Sequence, residues 1–127
     1  MPTVTSLYAG ILGLILIGVA FPAGLLRGKL NIPVGDGGNP KLLLAMRRHA
    51  NFAEWVPFAL ILIGSLELCH VRPAAIHALG AALVVARLSH ILGLKGDTMK
   101  SPARLVGAML TLLTVLVASV WAIALHV

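Results

Sequence analysis

Four long apolar stretches alternate with short polar ones along the chain. A helix needs about 20 apolar residues to cross the hydrocarbon of a bilayer. The stretches at about residues 5–26, 41–69, 74–94 and 103–126 all meet that length. The first holds no ionisable side chain, and Pro22 and Gly24 near its end predict a bend that neighbouring helices can accommodate. Residues 27–40 contain Asn31, Pro33 and the run Gly35-Asp36-Gly37-Gly38-Asn39-Pro40, which is strong turn chemistry; Asp36 serves the turn and Pro40 suits a helix start. The second stretch is longer than the hydrocarbon requires, so its first two turns are expected in the headgroup zone. Pro57 removes a backbone donor there and predicts a kink. His70-Val71-Arg72-Pro73 is a tight connection, and residues 95–102 form a polar loop. The pattern predicts an all-α integral membrane four-helix bundle, a single domain over residues 1–127.

Composition agrees with spans rather than a soluble core: 59% of residues are hydrophobic, 11% are charged and the mean hydropathy is +1.00. The net charge of +6 does not call for a nucleic-acid partner, because the basic residues lie in short loops and at helix ends. Arg27, Lys29, Lys41, Arg47, Arg48, Arg87, Lys95, Lys100 and Arg104 gather at one membrane face and only Arg72 at the other. By the positive-inside rule the two long loops face the cytoplasm and both termini face away, an arrangement suited to a bacterial inner membrane. No Lys or Arg precedes Arg27, so residues 1–26 lack the basic start of a signal peptide and read as a permanent span. Cys69 is alone, which excludes an intrachain disulfide, and is expected to be a small packing residue.

Ionisable groups at membrane depth persist only when paired or functional. At about 100° per residue, Arg47, Asn51 and Glu54 fall within one narrow arc of the second helix, continued by Phe58. A cation, an amide and a carboxylate on one face can hold a small polar ligand, or an Arg–Glu pair can simply join helices. Arg87 and His90, at i and i+3, share a face of the third helix, and Arg104 opens the fourth. Arg47, Arg87 and Arg104 against Glu54 leave an excess of positive charge at one depth. That excess is costly in a low-dielectric cleft unless an anion joins it, which points to an anionic ligand or headgroup phosphates. Arg27 and Arg104 can alternatively snorkel to the interface, and Arg87 can pair with Glu54. His49 lies opposite Arg47 and is placed to meet another subunit. His77 and His126 read as interfacial or packing residues, and Glu67 as solvated or paired with Arg72. No histidine pair has metal-ligand spacing with a third ligand, and neither a nucleophile elbow nor a phosphate-binding loop is present.

The spacing Arg47-x-x-x-Asn51-x-x-Glu54-x-x-Pro57 resembles that of the MAPEG family, the membrane-associated proteins of eicosanoid and glutathione metabolism. The resemblance extends over nearly the whole chain, through the Ala86-Arg87-Leu88-x-His90 stretch and the arginine opening the fourth helix; the Gly35-Asp36-Gly37-Gly38 turn is similar to the bacterial branch. It implies a homotrimer embedded in membrane lipid, with glutathione as cosubstrate bound between subunits on the cytoplasmic side. Arg47, Asn51 and Glu54 would hold the charged and amide groups of glutathione. His49 takes a position that also contacts the tripeptide in family members, and Trp55 stands where several members have tyrosine. Arg87 matches the family arginine of the third helix, Arg104 resembles the one that stabilises the glutathione thiolate, and Arg27 is a further candidate. The chain departs from the family at Trp55, which has no hydroxyl, and at His90 and Leu94, where glutathione-contacting members carry tyrosines. Its one tyrosine, Tyr8, falls at the opposite membrane side.

The function implied is a membrane-bound, glutathione-dependent transferase or peroxidase acting on lipophilic electrophiles. The alternative is a non-catalytic lipid- or ligand-binding protein on the same scaffold. A small four-span multidrug exporter ranks third, because that class places an essential carboxylate in its first span and none is present here.

Overall fold

A computed structural model describes residues 1–96 and 101–127. Four helices follow one another: α1 (Thr3–Leu30), α2 (Pro40–Leu68), α3 (Pro73–Gly93) and α4 (Pro102–Ala124). Each is long and apolar enough to cross a membrane. Of the expected loop at 95–102, residues 97–100, Lys100 among them, lie outside the described residues.

Local chemistry fixes the helix ends. The Asn39 side chain accepts hydrogen bonds from the Lys41 and Leu42 backbone N–H groups at 3.0 and 3.1 Å, with Pro40 as the first helical residue, so the predicted start of α2 is a true cap. Asp36 serves its turn by accepting from Gly38 N–H at 3.0 Å. Helix α1 runs on to Leu30, past the expected end near residue 26. Arg27 and Lys29 sit in its last turn, where cations face the partial negative charge of a helix end, and Asn31 closes it with a left-handed φ of 54°. Both α1 and α2 continue unbroken through Pro22 and Pro57.

The core runs along one stripe of α2: Phe52, Val56, Ala59, Ile63 and Leu66, at alternating spacings of four and three. Leu12 of α1, Ile76, Leu79 and Leu83 of α3 and Ala118 of α4 pack against it, and a smaller cluster of Ala23, Leu42 and Ala45 closes the α1–α2 end. Large apolar side chains point outward on every helix, including Leu14, Phe21, Phe58, Ile61, Leu92 and Leu116, as a lipid-facing surface requires.

Two expectations are corrected at the end of the bundle away from the basic residues. Glu67 is half-buried and pairs with backbone rather than with Arg72. Its carboxylate accepts from the backbone N–H groups of Val4 and Thr5 at 2.8 and 2.7 Å. The first N–H groups of α1 have no intrahelical acceptor and Pro2 offers no side-chain cap, so a carboxylate from α2 fills that role. Cys69 is not a packing residue; it is exposed at the C-cap of α2, past Leu66, where the core stripe ends. At the same end the Tyr8 hydroxyl and His77 Nδ1 lie 3.1 Å apart, and the Tyr8 ring fills the space that Gly80 leaves open.

Candidate functional site

At the basic end of the bundle α2, α3 and α4 enclose a cavity of about 260 Å³, lined by Asn51, Trp55, Arg87, His90, Arg104, Ala108, Thr111 and Leu112. Arg87 is 2% exposed and His90 7%. One Arg87 terminal nitrogen donates to the Asn51 side-chain oxygen at 2.9 Å, joining α3 to α2. The Arg87 Nε has no hydrogen-bond partner among the described residues although it is buried. A buried donor without an acceptor costs about 1–3 kcal/mol. Arg104 lies in the first turn of α4, where Ser101 caps its backbone N–H at 3.4 Å. A cation in a first turn adds to the positive end of the helix rather than offsetting it. Two arginines and a histidine thus line the cavity, and among the described residues none of its lining is an acid. A site of this kind accepts an anion.

Close contact between α3 and α4 brings these groups together. A Cβ on Gly107 would stand 2.6 Å from the Ala86 carbonyl oxygen and 2.7 Å from the His90 Cα. On Gly93 it would stand 2.7 Å from the Ala103 carbonyl carbon and the Arg104 Cα. Glycine alone permits such an approach, and small residues serve this purpose in membrane helices generally.

The structure divides the polar arc expected on α2. Asn51 faces inward to Arg87 and Trp55 lines the cavity, whereas Arg47 and Glu54 are exposed. From Arg47, Asn51 lies about 40° around the helix one way and Glu54 about 20° the other, enough to set one inside and leave the others out. The alternative of an Arg87–Glu54 pair does not form within the chain; Arg87 takes Asn51 instead. His49 is half-buried, away from the Arg47 face. Arg27 is spent on its own loop, donating to the carbonyls of Ile32 at 3.3 Å and Gly35 at 2.8 Å, and does not line the cavity. His90 and Arg104 both do.

Four contributors had not been singled out from sequence. Gly93 and Gly107 set the α3–α4 approach, and Thr111 forms part of the wall with its hydroxyl bonded to the Gly107 carbonyl at 2.7 Å. For Gly107 and Thr111 the signal is the small-residue run Gly107, Thr111, Thr114, Ala118 at helical spacing. The fourth, Arg48, donates from Nε and a terminal nitrogen to the Leu94 carbonyl at 2.8 and 2.6 Å. No pattern in one helix reveals that contact.

These features define a four-span membrane protein with a cationic cavity at one end of its bundle. The sequence matches the MAPEG family over residues 5–124, and the chain belongs to that family. It is also similar to the inner membrane protein YecN of Escherichia coli strain K12. The two are 33% identical over 90 residues, which cover 71% of this chain and 69% of that protein. YecN of strain CFT073 matches equally. No solved structure gives a significant match.

Proposed function

We propose that the protein is a bacterial inner-membrane, glutathione-dependent transferase or peroxidase acting on lipophilic electrophiles. The observation that carries this reading is the cavity itself, lined by Arg87, Arg104 and His90 and, among the described residues, by no carboxylate. Glutathione is anionic, and its sulfur would be held as thiolate beside Arg104, since a nearby guanidinium favours the charged form. The thiolate would then attack an electrophilic carbon and expel a halide or add to an enone. In the peroxidase case it would attack the distal oxygen of a hydroperoxide and release an alcohol, and a second glutathione would resolve the resulting sulfenate to the disulfide. The cosubstrate brings the nucleophile, so the chain needs no reactive cysteine.

The site is proposed to be completed by a homotrimer. Arg47 and Glu54 are charged, exposed and borne by a spanning helix, a combination that favours cover by another subunit over contact with lipid. In that arrangement Arg47, Glu54 and His49 bind the charged ends of glutathione across the interface, while Asn51 and Trp55 face it from within. Arg27, held by its loop, stands outside the site. The basic end is assigned to the cytoplasm by the positive-inside rule, with both termini on the other side. The inner-membrane assignment draws on the E. coli relative, an inner membrane protein.

A second reading, a non-catalytic ligand-binding protein on this scaffold, is favoured by one observation. No tyrosine hydroxyl lines the cavity, and Tyr8 is engaged with His77 at the other end. Titration of the detergent-purified protein with glutathione, followed by its ultraviolet thiolate band, separates the two. The enzyme reading expects a thiolate at neutral pH and turnover of a hydrophobic aryl halide. Arg104→Ala should then raise the bound thiol's pKa by about 1–3 and slow turnover while changing affinity little. Glu54→Gln should instead weaken binding. Glutathione binding without thiolate transfers the assignment to the binding protein, and absence of binding removes the glutathione-dependent enzyme.

A further inference from the structure

We infer that Arg48 is a positioning residue that sets where Arg104 stands in the cavity, acting through the end of α3. The inference deepens the proposed function and rests on it for its kinetic consequence, though not for its geometry. Arg48 is half-buried and does not line the cavity. Its guanidinium closes as a fork on one atom, the Leu94 carbonyl oxygen, at 2.8 and 2.6 Å. Leu94 is the C-cap of α3, and its N–H bonds back to His90 at 2.9 Å. The last carbonyls of a helix have no partner within it and carry partial negative charge, so a planar, permanently charged fork is the strongest available closure.

The consequence travels one residue. Gly93, directly before Leu94, lies against the first turn of α4, where an added Cβ would stand 2.7 Å from the Arg104 Cα. Fixing Leu94 therefore fixes Gly93, and Gly93 fixes the backbone from which the Arg104 side chain projects. A second tie lies three residues along α2, where Asn51 receives Arg87. Arg48 and Asn51 are on the same side of α2. The apolar core holds the far part of α3 against α2, and at the cavity end the Arg48–Leu94 bond adds a second tie to the Asn51–Arg87 bond. Two ties thus set α3, and through the glycines α4, against α2. They keep Asn51 and Arg87 on one wall of the cavity in register with Arg104 on the other.

Arg48→Ala, Arg48→Lys and Arg48→Gln test this. Lysine keeps the charge with one directed donor; glutamine keeps a donor without the charge. In glutathione turnover, Arg48→Ala should lower kcat on the order of ten- to a hundredfold, since misplacement by an ångström suffices for that, with KM within about twofold. It should also raise the pKa of the bound thiol. Both conservative variants should recover part of each loss. A second measurement needs no ligand: spin labels at Leu43 of α2 and Leu105 of α4, both exposed, in a Cys69→Ser background diluted with unlabelled protein. Arg48→Ala should broaden and shift the distance, and Lys or Gln should restore it. An unchanged distance overturns the inference whatever happens to activity. Recovery by neither variant also overturns it, because a donor to the Leu94 carbonyl is then not what matters. If wild type binds no glutathione, the proposed function falls, and the label distances still decide the role of Arg48.

Discussion

The α3–α4 contact gives the sharpest test of the architecture, through Gly107→Ala. The new methyl would meet backbone on the facing helix, 2.6 Å from the Ala86 oxygen and 2.7 Å from the His90 Cα. The His90 backbone nitrogen is nearer still and ordinary contact begins near 3.4 Å, so the helices must separate locally by roughly 1 Å, and no side chain can turn aside to spare them. Alanine raises helix propensity by about 1 kcal/mol. Overpacking a tight contact costs typically about 1–3 kcal/mol and sits at the upper end when backbone must move. The net expectation is a destabilisation of about 1–2 kcal/mol. Gly64→Ala is the matched control, because its nearest atom, Thr5 Cγ2, lies at 3.5 Å and the change should be neutral or stabilising. Denaturation of the detergent-purified protein by a graded denaturing surfactant measures both. The reasoning fails if Gly107→Ala is as stable as wild type, or if Gly64→Ala is the more damaging of the two. Where glutathione turnover exists, Gly107→Ala should depress it further than the stability loss accounts for, since the same separation displaces Arg104 from His90.

Gly80→Ala should also destabilise, because its Cβ would enter the Tyr8 ring, and Tyr8→Ala in the same chain should recover most of the loss in the same denaturation assay. Glu67→Gln leaves one amide oxygen where two carboxylate oxygens serve Val4 and Thr5. One N–H loses its acceptor and the helix end its charge, so about 1–2 kcal/mol should be lost, with faster hydrogen exchange confined to the start of α1. Asn51→Leu removes the acceptor for Arg87 and strands a buried guanidinium. It should destabilise the protein by on the order of 2–4 kcal/mol, and an anion in the cavity should return part of that, read as a thermal shift with glutathione.

Much of this molecule is written in single-helix periodicity. The four spans, the turn ending in Asn39-Pro40 and the gathering of basic residues at one end follow from hydropathy, turn residues and charge, each local to its own segment. The site is only half local. Arg87, His90, Asn51 and Arg104 could be nominated because a polar group in a spanning helix has few reasons to be there. Periodicity says which side of a helix is apolar; it does not say how far that helix is rotated against its neighbour. The arc of Arg47, Asn51 and Glu54 was therefore legible as an arc, while its division, with Asn51 turned in and its companions out, depends on where α3 lies.

The residues that sequence reasoning passed over or misassigned share a different property: each acts on a backbone. Glu67 bonds the amides of α1, Arg48 a carbonyl of α3, and Gly93 and Gly107 admit a neighbouring main chain. Backbone atoms are the same at every position, so such contacts leave no complementary residue type to find, unlike an acid awaiting a base. In a bilayer they nonetheless rank among the strongest constraints on helix placement. Hydrocarbon supplies no water to an unpaired amide or carbonyl, and helices gain little from burying apolar side chains already surrounded by lipid. Packing in this bundle is therefore governed by where main chains can touch and where their end groups find partners, and the cationic cavity forms where those two conditions bring α2, α3 and α4 together.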